Sequence, residues 1–481
     1  MNLDGTDIAA AMGAEVVAEG GSRGPRRATI SSGESGPGDL FFGLRGERVN
    51  GGEFAPVAIE AGAWGVVVDR SLKDLGGDGP TSASASGDAW VFAADDPLVA
   101  LQGLARAWRR RLGARVVGVT GSVGKTSVKD IARALLPGRV HANRENLNTE
   151  IGLPLTVLEA AEGTDVLVLE MAMRGAGQIA ELAAIAEPEV AVITNVGPVH
   201  VELLGSIEAI AAAKAEILAA LPPDGTAVVP AAAGELEPHL DQAPRLLRFG
   251  AGGNVFAAES RVVDGLTEAL VESPVGSRRF HFPFAETHNL ENALAAIAAG
   301  VALGAPLAEM ADRAANIGFS RFRGERLEMG DGIVLVNDCY NANPVSMRAA
   351  LSHLATLEGE RRIAVLGEMA ELGPGGPGYH REVGESARAE GVDLLIGVGQ
   401  SAREYGPDEL LGTPEEAAEW LAAQAEPGDT ILVKGSRSAG LEAVAEILET
   451  LMAGEAAPGR GSGDQSQSDS SDFHGSRGGR A

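Results

Sequence analysis

The stretch best suited to chemistry is residues 116–127, where an apolar, β-branched run leads into a glycine-rich turn and then Gly-Lys-Thr. A helical pattern follows over 127–136. Glycines let backbone N–H groups curl around an anion, and the N-terminus of the following helix carries partial positive charge. The pattern predicts a phosphate-binding loop (P-loop) in which Lys125 reaches the terminal phosphates and Thr126 binds Mg²⁺.

The glycine spacing departs from the usual G-x-x-x-x-G-K-[ST] pattern. That pattern would place its first glycine at Val119, whereas this chain has Gly118 and Gly121. The alternative is an ordinary strand-to-helix turn with a chance Gly-Lys-Thr. Because strand, glycines, lysine, hydroxyl and helix follow in order, the sequence favours the phosphate loop.

Two further polar residues follow predicted strands. Glu170 comes directly after the strand at 166–169, and His200 closes the turn after the strand at 190–194. In parallel sheets the ligand crevice lies at the carboxyl ends of the strands, where a nucleotide-bound Mg²⁺ needs an oxygen ligand. Glu170 could instead cap a helix or lie on the surface, and a lone histidine says little by itself.

These residues belong to a chain whose strands and helices alternate, which predicts an α/β protein of three domains. We expect a small N-terminal α/β domain at 1–110, a central P-loop domain at 111–317 and a C-terminal domain at 318–454. The central domain should hold a mainly parallel sheet wrapped by helices, and the C-terminal domain should be Rossmann-like. Residues 455–481, rich in Gly, Ser, Asp and Gln, predict a disordered tail.

The elements follow from apolar periodicity. The predicted strands are 39–44, 65–68, 116–119, 166–169, 190–194, 227–229, 333–337, 363–366, 394–398 and 430–433. The predicted helices are 55–63, 97–111, 179–185, 206–221, 344–357, 379–389, 414–423 and 439–451. A surface loop is expected at 75–88.

Composition excludes several classes of protein. The 481 residues carry a net charge of −28, which argues against a nucleic-acid partner but not against a small anion in a local basic pocket. One cysteine excludes an internal disulfide framework and a cysteine-rich zinc site. The N-terminus lacks a signal-peptide pattern, and the most apolar stretch, 293–305, is too short to span a bilayer. We therefore expect a cytoplasmic protein that does not insert into membranes.

Six motifs, in order, resemble the Mur ligase family. They lie at 120–127, 146–154, 288–293, 337–344, 366–373 and 432–438, and the resemblance extends over about 37–451. The last three resemble the member that adds a dipeptide. The sequence leaves open which diamino acid is third in the peptide substrate.

The resemblance implies an amide ligase that uses ATP and Mg²⁺. The terminal carboxylate of UDP-N-acetylmuramoyl-tripeptide would take the γ-phosphoryl group, and D-alanyl-D-alanine would attack the resulting acyl phosphate. It further implies a mobile C-terminal domain. We expect only small-molecule partners and a monomer, and the sequence leaves the oligomeric state open. Phosphoryl transfer needs positioning and charge neutralisation rather than a protein nucleophile.

The resemblance also implies roles for individual residues. The nucleotide would contact Thr120, Gly121, Ser122, Val123, Gly124, Lys125, Thr126 and Ser127, with Asn289 and Asn292 on the base side. The metal would bind Thr126, Glu170, His200 and Lys214, the last as a carbamate. The catalytic set would be Lys125, Lys214, His200, Asp338, Lys434 and Arg326, with Arg323 as the alternative to Arg326. The substrates would contact Asn148, Thr149, Asn341, Asn343 and Ser436.

The N-terminal region departs from the family pattern. Relatives usually show Asp-Ser-Arg where this chain has Ser31, Ser32 and Gly33, so a charged contact to the uridine side is missing. Two alternatives stay open: a sister Mur-type or folylpolyglutamate-type ligase, and a nucleotide-dependent switch that does not ligate. A switch would hydrolyse ATP slowly without either an acceptor amine or a carboxylate substrate.

Overall fold

A computed structural model of the chain describes residues 1–21, 23–72, 89–144, 146–199 and 201–455. The loop predicted at 75–88, His200 and the predicted tail after Glu455 lie outside the described residues. The described part contains three mainly parallel sheets and one small antiparallel sheet. The predicted α/β class is thereby confirmed, while the predicted domain boundaries stay predictions.

The N-terminal sheet has five strands. They are β1 (Glu15–Ala18), β2 (Arg27–Thr29), β3 (Asp39–Phe42), β4 (Gly65–Asp69) and β5 (Trp90–Ala94). Their order is β1-β5-β4-β3-β2, and all pairs are parallel except β1 with β5. Three helices accompany the sheet: α1 (Gly5–Met12), α2 (Ala55–Glu60) and α3 (Pro97–Leu112). The helix predicted at 55–63 ends earlier, because Gly62 has a left-handed φ of 90°.

The central sheet is all parallel. Its strands are β6 (Arg115–Thr120), β7 (Val140–Ala142), β8 (Val166–Glu170), β9 (Val190–Ile193), β10 (Thr226–Pro230) and β11 (Leu246–Phe249). The order is β11-β10-β9-β6-β8-β7. The strands β8 and β9 are buried along their whole length, as continuous apolar runs predict for a sheet covered on both faces.

Helices cover both faces of this sheet. They are α4 (Lys125–Leu135), α5 (Gly152–Glu159), α6 (Gln178–Ala186), α7 (Val201–Leu204), α8 (Ile207–Ala215), α9 (Thr287–Ala302) and α10 (Leu307–Arg313). The single helix predicted at 206–221 is instead α8 followed by a 3₁₀ turn, Glu216–Ala220.

A three-stranded antiparallel sheet was not predicted. It consists of β12 (Phe256–Val263), β13 (Leu266–Ser273) and β14 (Gly276–Phe282). An Asp264-Gly265 turn joins the first two strands, and both residues have positive φ, 51° and 74°. An Asp-Gly pair between alternating runs is a strong hairpin signal, so the sequence did carry this element.

The C-terminal sheet has the order β15-β16-β20-β17-β18-β19, and only β15 is antiparallel to its neighbour. Its strands are β15 (Glu325–Gly330), β16 (Ile333–Asn337), β17 (Arg361–Leu366), β18 (Leu394–Val398), β19 (Glu409–Leu411) and β20 (Asp429–Lys434). Its helices are α11 (Pro344–Thr356), α12 (Gly376–Ala389), α13 (Pro414–Gln424) and α14 (Glu442–Glu455). Two apolar clusters, one on each face, contain only residues of this unit.

The N-terminal and central sheets share one apolar core. It runs from Leu3 through α3 to Leu240 and includes side chains of both sheets. Trp108 of α3 is 1% exposed, and its indole N–H donates to the carbonyl of Ala160 at 3.0 Å. Among the described residues, no helix is both long and apolar enough to cross a membrane.

Candidate functional site

A cavity of about 710 Å³ lies between the central and C-terminal units. From the central unit it is lined by Ser122, Val123, Gly124, Lys125, Thr126, Ser127, Asn148, Thr149, Glu170, Asn195, His288, Asn289 and Asn292, among others. Across from them lie Arg323, Asp338, Tyr340, Asn341, Asn343, His353 and Lys434. The sequence assigned roles to most of these residues but to none of Asn195, His288, Tyr340 and His353.

The predicted phosphate loop joins β6 to α4. Gly121 has a φ of 149° and Gly124 a φ of 82°; a Cβ would overlap the Thr194 hydroxyl at the first and the Asn292 carboxamide at the second. Only glycine therefore fits both positions. The Asn195 side chain accepts from the backbone N–H of Val123 at 2.9 Å, which fixes the loop against the end of β9.

Lys125 begins α4 and lies over the loop. Its ammonium donates to the carbonyl of Gly121 at 2.7 Å. Burial lowers the pKa of Lys125; the negative charge of Glu170 opposes this effect, and the positive charge of Arg323 adds to it. Thr120 is fully buried beneath the loop and does not line the cavity, although it was predicted to contact the nucleotide.

Glu170 and Thr126, both predicted metal ligands, are in contact with each other. The Thr126 hydroxyl donates to one oxygen of the Glu170 carboxylate at 2.8 Å, and the Asn148 amide donates to the other at 2.8 Å. Asn143, at the end of β7, accepts from the backbone N–H of Glu170 at 2.6 Å. Sequence reasoning missed Asn143, although a polar residue after a parallel strand is the signal that identified Glu170. Asn148 thus holds the carboxylate from within the cavity.

Lys214 lies on α8 and is 2% exposed. Burial lowers its pKa well below the ordinary value, and the charge of Lys125 lowers it further. Within the part of the chain that the structure describes, no carboxylate lies within ion-pair distance of Lys214. In that same part, no three acidic, histidine or cysteine side chains cluster as a metal site.

The base-side asparagines lie on the first turns of α9. The Asn292 amide donates to the Asn289 side chain at 3.2 Å, and the Asn289 amide donates to Glu286 at 3.2 Å. Glu286 also faces His353 of α11, at 3.4 Å between carboxylate oxygen and Nε2, so this pair crosses from the central to the C-terminal unit. Burial lowers the pKa of His353 despite this carboxylate.

Lys434 ends β20 and holds the turn after β16. Its ammonium donates to the Asp338 carboxylate at 2.7 Å, the Asn341 carbonyl at 2.9 Å and the Asp338 carbonyl at 3.2 Å. Its side chain is 2% exposed. All three N–H groups are therefore engaged by the turn, so Lys434 shapes the wall of the cavity in this conformation.

Of two further predicted substrate contacts, one lies outside the cavity lining and the other is also engaged in a helix cap. Ser436 is 4% exposed and outside the lining; its hydroxyl accepts from the N–H of Ala370 at 2.9 Å and donates to the carbonyl of Ala342 at 3.4 Å. It therefore ties loops together instead of facing substrate. Asn343 lines the cavity but also caps α11, accepting from the N–H groups of Val345 and Ser346 at 3.1 and 3.0 Å.

The structure places the two candidate arginines differently. Arg326 lies on β15 with a side chain 57% exposed and pairs with Glu328 at 3.1 Å, outside the cavity. Arg323, three residues earlier on the connection between the two units, lines the cavity. Its guanidinium lies 4.2 Å from the centre of the Tyr340 ring.

Comparison with known proteins agrees with this geometry. The Mur ligase middle domain matches residues 119–300, and the Mur ligase glutamate ligase domain matches 322–437. A relative from Synechocystis, named UDP-N-acetylmuramoyl-tripeptide–D-alanyl-D-alanine ligase, is 39% identical over 427 residues, covering 85% of this chain and 89% of its own. The two matched regions supply both walls of the cavity.

Solved structures are similar over nearly the whole chain. MurF from Acinetobacter baumannii superposes with a TM-score of 0.83 at 26% identity, covering 92% of this chain and 98% of that protein. MurF from Thermotoga maritima, solved with ADP, superposes with a TM-score of 0.79 at 30% identity. The match covers 90% of this chain and 99% of that protein.

Proposed function

The chain belongs to the Mur ligase family, and we propose that it is the ATP-dependent ligase that joins D-alanyl-D-alanine to UDP-N-acetylmuramoyl-tripeptide during synthesis of peptidoglycan precursors. The family match confirms what the six motifs predicted. One observation carries the proposal: the phosphate loop and the turn at 338–343 form two walls of a single cavity. A ligase needs this arrangement because the phosphoryl donor and both substrates must meet.

The reaction proceeds in two steps. The terminal carboxylate of the tripeptide attacks the γ-phosphorus of ATP, so an O–P bond forms while the bond to the β–γ bridging oxygen breaks, giving an acyl phosphate and ADP. The amine of D-alanyl-D-alanine then attacks the acyl carbon, loses a proton and expels phosphate. We assign Lys125, Arg323 and the loop N–H groups to the phosphates, because charge neutralisation dominates phosphoryl transfer.

The donor set fits Mg²⁺. Thr126 and Glu170 present a hydroxyl and a carboxylate within 2.8 Å of each other, and hard Mg²⁺ binds through one or two protein oxygens together with substrate phosphates. Bound there, the ion would neutralise phosphate charge. His200, outside the described residues, stays a predicted neighbour of the metal side.

We further propose that Lys214 is carbamylated. Burial lowers the pKa of Lys214 well below its ordinary value and so favours the uncharged amine, which is the form that attacks CO₂. The N–C bond forms, one C–O π bond becomes a carboxylate, and the nitrogen releases a proton. The product would place an anion that suits a metal site near Lys125.

Residues of one chain form both walls of the cavity, so the proposed reaction needs no second copy, and we propose a monomer. Because ATP and UDP-linked substrates are cytoplasmic metabolites, we propose that the enzyme acts in the cytoplasm. The N-terminal sheet would hold the uridine nucleotide. The short 3₁₀ turn Ser32–Glu34 lies in the segment where the family resemblance predicts a charged contact to the uridine side.

The acceptor can be tested by phosphate release. With ATP, Mg²⁺ and the UDP-linked tripeptide, we expect rapid release only when D-alanyl-D-alanine is added, and little with D-alanine or L-amino acids. Mass spectrometry should show the pentapeptide product. An equal rate with a free amino acid would favour a sister ligase. Slow release that needs neither substrate would favour a switch.

The metal assignment predicts the effect of Glu170→Gln. Removing the charge while keeping the shape should raise the Mg²⁺ concentration for half-maximal activity about tenfold or more. Direct titration with Mn²⁺, followed by electron paramagnetic resonance in the presence of ADP, should show the same loss of affinity. Glu189→Gln is the matched control, because Glu189 pairs with Arg115 at 2.8 Å away from the cavity. Unchanged Mn²⁺ affinity in Glu170→Gln would refute the assignment.

A further inference from the structure

Arg323 lines the cavity between the two units. Its Nε is buried and lacks a hydrogen-bond partner. Among the described residues, no carboxylate lies within ion-pair distance of its guanidinium. It also faces another cation, since its charge lowers the pKa of Lys125 across the cavity. Two cations that face each other repel, so some contact must hold Arg323 in place.

That contact is the ring of Tyr340. The guanidinium lies 4.2 Å from the ring centre, inside the range of a cation–π contact. A ring face holds a guanidinium without using its N–H groups, whereas a carboxylate would occupy them and cancel the charge. Tyr340 follows β16, and its backbone N–H donates to the carbonyl of Phe322 at 3.2 Å.

The connection that carries Arg323 is further fixed to the C-terminal unit. Phe322 has a φ of 63°, which is strained for a bulky side chain, so surrounding contacts must hold it there. The guanidinium of Arg437 lies 5.5 Å from its ring centre, and that of Arg321 lies 4.8 Å away. Arg437 follows β20 and Tyr340 follows β16. Loops after two strands of the C-terminal sheet therefore contact this connection.

From this geometry we infer that Tyr340 is a positioning residue, which presents Arg323 to the γ-phosphate and makes its guanidinium move with the C-terminal unit. The inference rests on the proposed function and adds a residue to it. Arg323 would be in place only while the C-terminal unit lies against the phosphate loop. The cation needed for phosphoryl transfer thus arrives together with the residues of the turn at 338–343.

A double-mutant cycle tests this inference. Tyr340→Leu should lower kcat about tenfold, and Tyr340→Phe, which keeps the ring, should recover most of that loss. In the Arg323→Ala background, the same Tyr340→Leu change should cost less than about twofold, because a residue that acts only through Arg323 has nothing left to position. Tyr379→Leu is the matched control, since Tyr379 is a half-buried tyrosine of the same unit outside the cavity.

A second readout separates the inference from the proposed function. Affinity for a non-hydrolysable ATP analogue, measured by calorimetry, should fall severalfold in Tyr340→Leu only when Arg323 is present, whether or not the protein ligates. Tyr340→Met replaces the leucine variant if the latter does not fold. An equal loss with and without Arg323, in either readout, would overturn the inference. Failure of the wild type to form the pentapeptide would overturn only the proposed function.

Discussion

Lys125→Ala should abolish ligation, lowering kcat by at least about a thousandfold while the fold survives. The Lys125 ammonium lies over the phosphate loop and donates to the Gly121 carbonyl, so it can turn to an incoming phosphate without breaking any ion pair. Burial lowers its pKa, and phosphate charge would favour the protonated form again. The variant lacks the Lys125 ammonium, which would neutralise negative charge on the γ-phosphoryl group during its transfer.

The measurement is phosphate release with the UDP-linked tripeptide and D-alanyl-D-alanine, alongside thermal unfolding of the variant. Arg133→Ala is the control, because Arg133 is an exposed cation on the last turn of the same helix, α4. A folded Lys125→Ala protein that turns over within tenfold of the wild type would contradict the role. Arg133→Ala should be indistinguishable from the wild type.

Lys214→Ala should lose most activity, by about a hundredfold or more, and formate or acetate should restore part of it. If the carbamate supplies the anion, a small carboxylate can fill the space that the truncated side chain leaves. Lys214→Arg should be equally inactive and gain nothing from formate, since a guanidinium occupies the space and is not expected to be carbamylated. Fully active Lys214→Ala would refute the carbamate.

The modification also has a spectroscopic test. Wild-type protein incubated with ¹³C-bicarbonate should show one carbamate resonance that Lys214→Ala lacks. The sign of the pH dependence follows from the lowered pKa: above it the amine is uncharged and reacts with CO₂, and below it protonation blocks the reaction. Carbamate should therefore be lost as pH falls through that pKa. Absence of the resonance near neutral pH would contradict the proposal.

The phosphate loop could be predicted from the sequence because all the residues that define it lie within a short stretch of the chain. Glycine, lysine and hydroxyl must follow a buried strand within a few residues, and no distant contact changes that requirement. The strands β8 and β9 were equally readable as continuous apolar runs. The hairpin of β12 and β13 was missed because most of β12 is exposed and shows no buried apolar face, although the Asp264-Gly265 turn identified it.

Residues whose roles depend on tertiary contacts could not be assigned in this way. Arg323 and Arg326 stand three residues apart, and only the start of β15 at Glu325 decides which of them reaches the cavity. Ser436 lies in a motif that matches the family, yet its hydroxyl is buried among three loops. Tyr340 matters only because the connection between two units folds back over its ring.

The core that the first two sheets share has a thermodynamic consequence. Residues near 110 look like a boundary in sequence, yet α3 buries side chains against both sheets, and Trp108 is bonded to the central unit. Neither sheet can then melt without exposing the apolar surface of the other, so heat should unfold them as one cooperative block. The C-terminal unit, with its own two cores, can melt separately. The chain should therefore unfold as two cooperative units, although its sequence suggests three domains. The cavity lies at the junction between these two units.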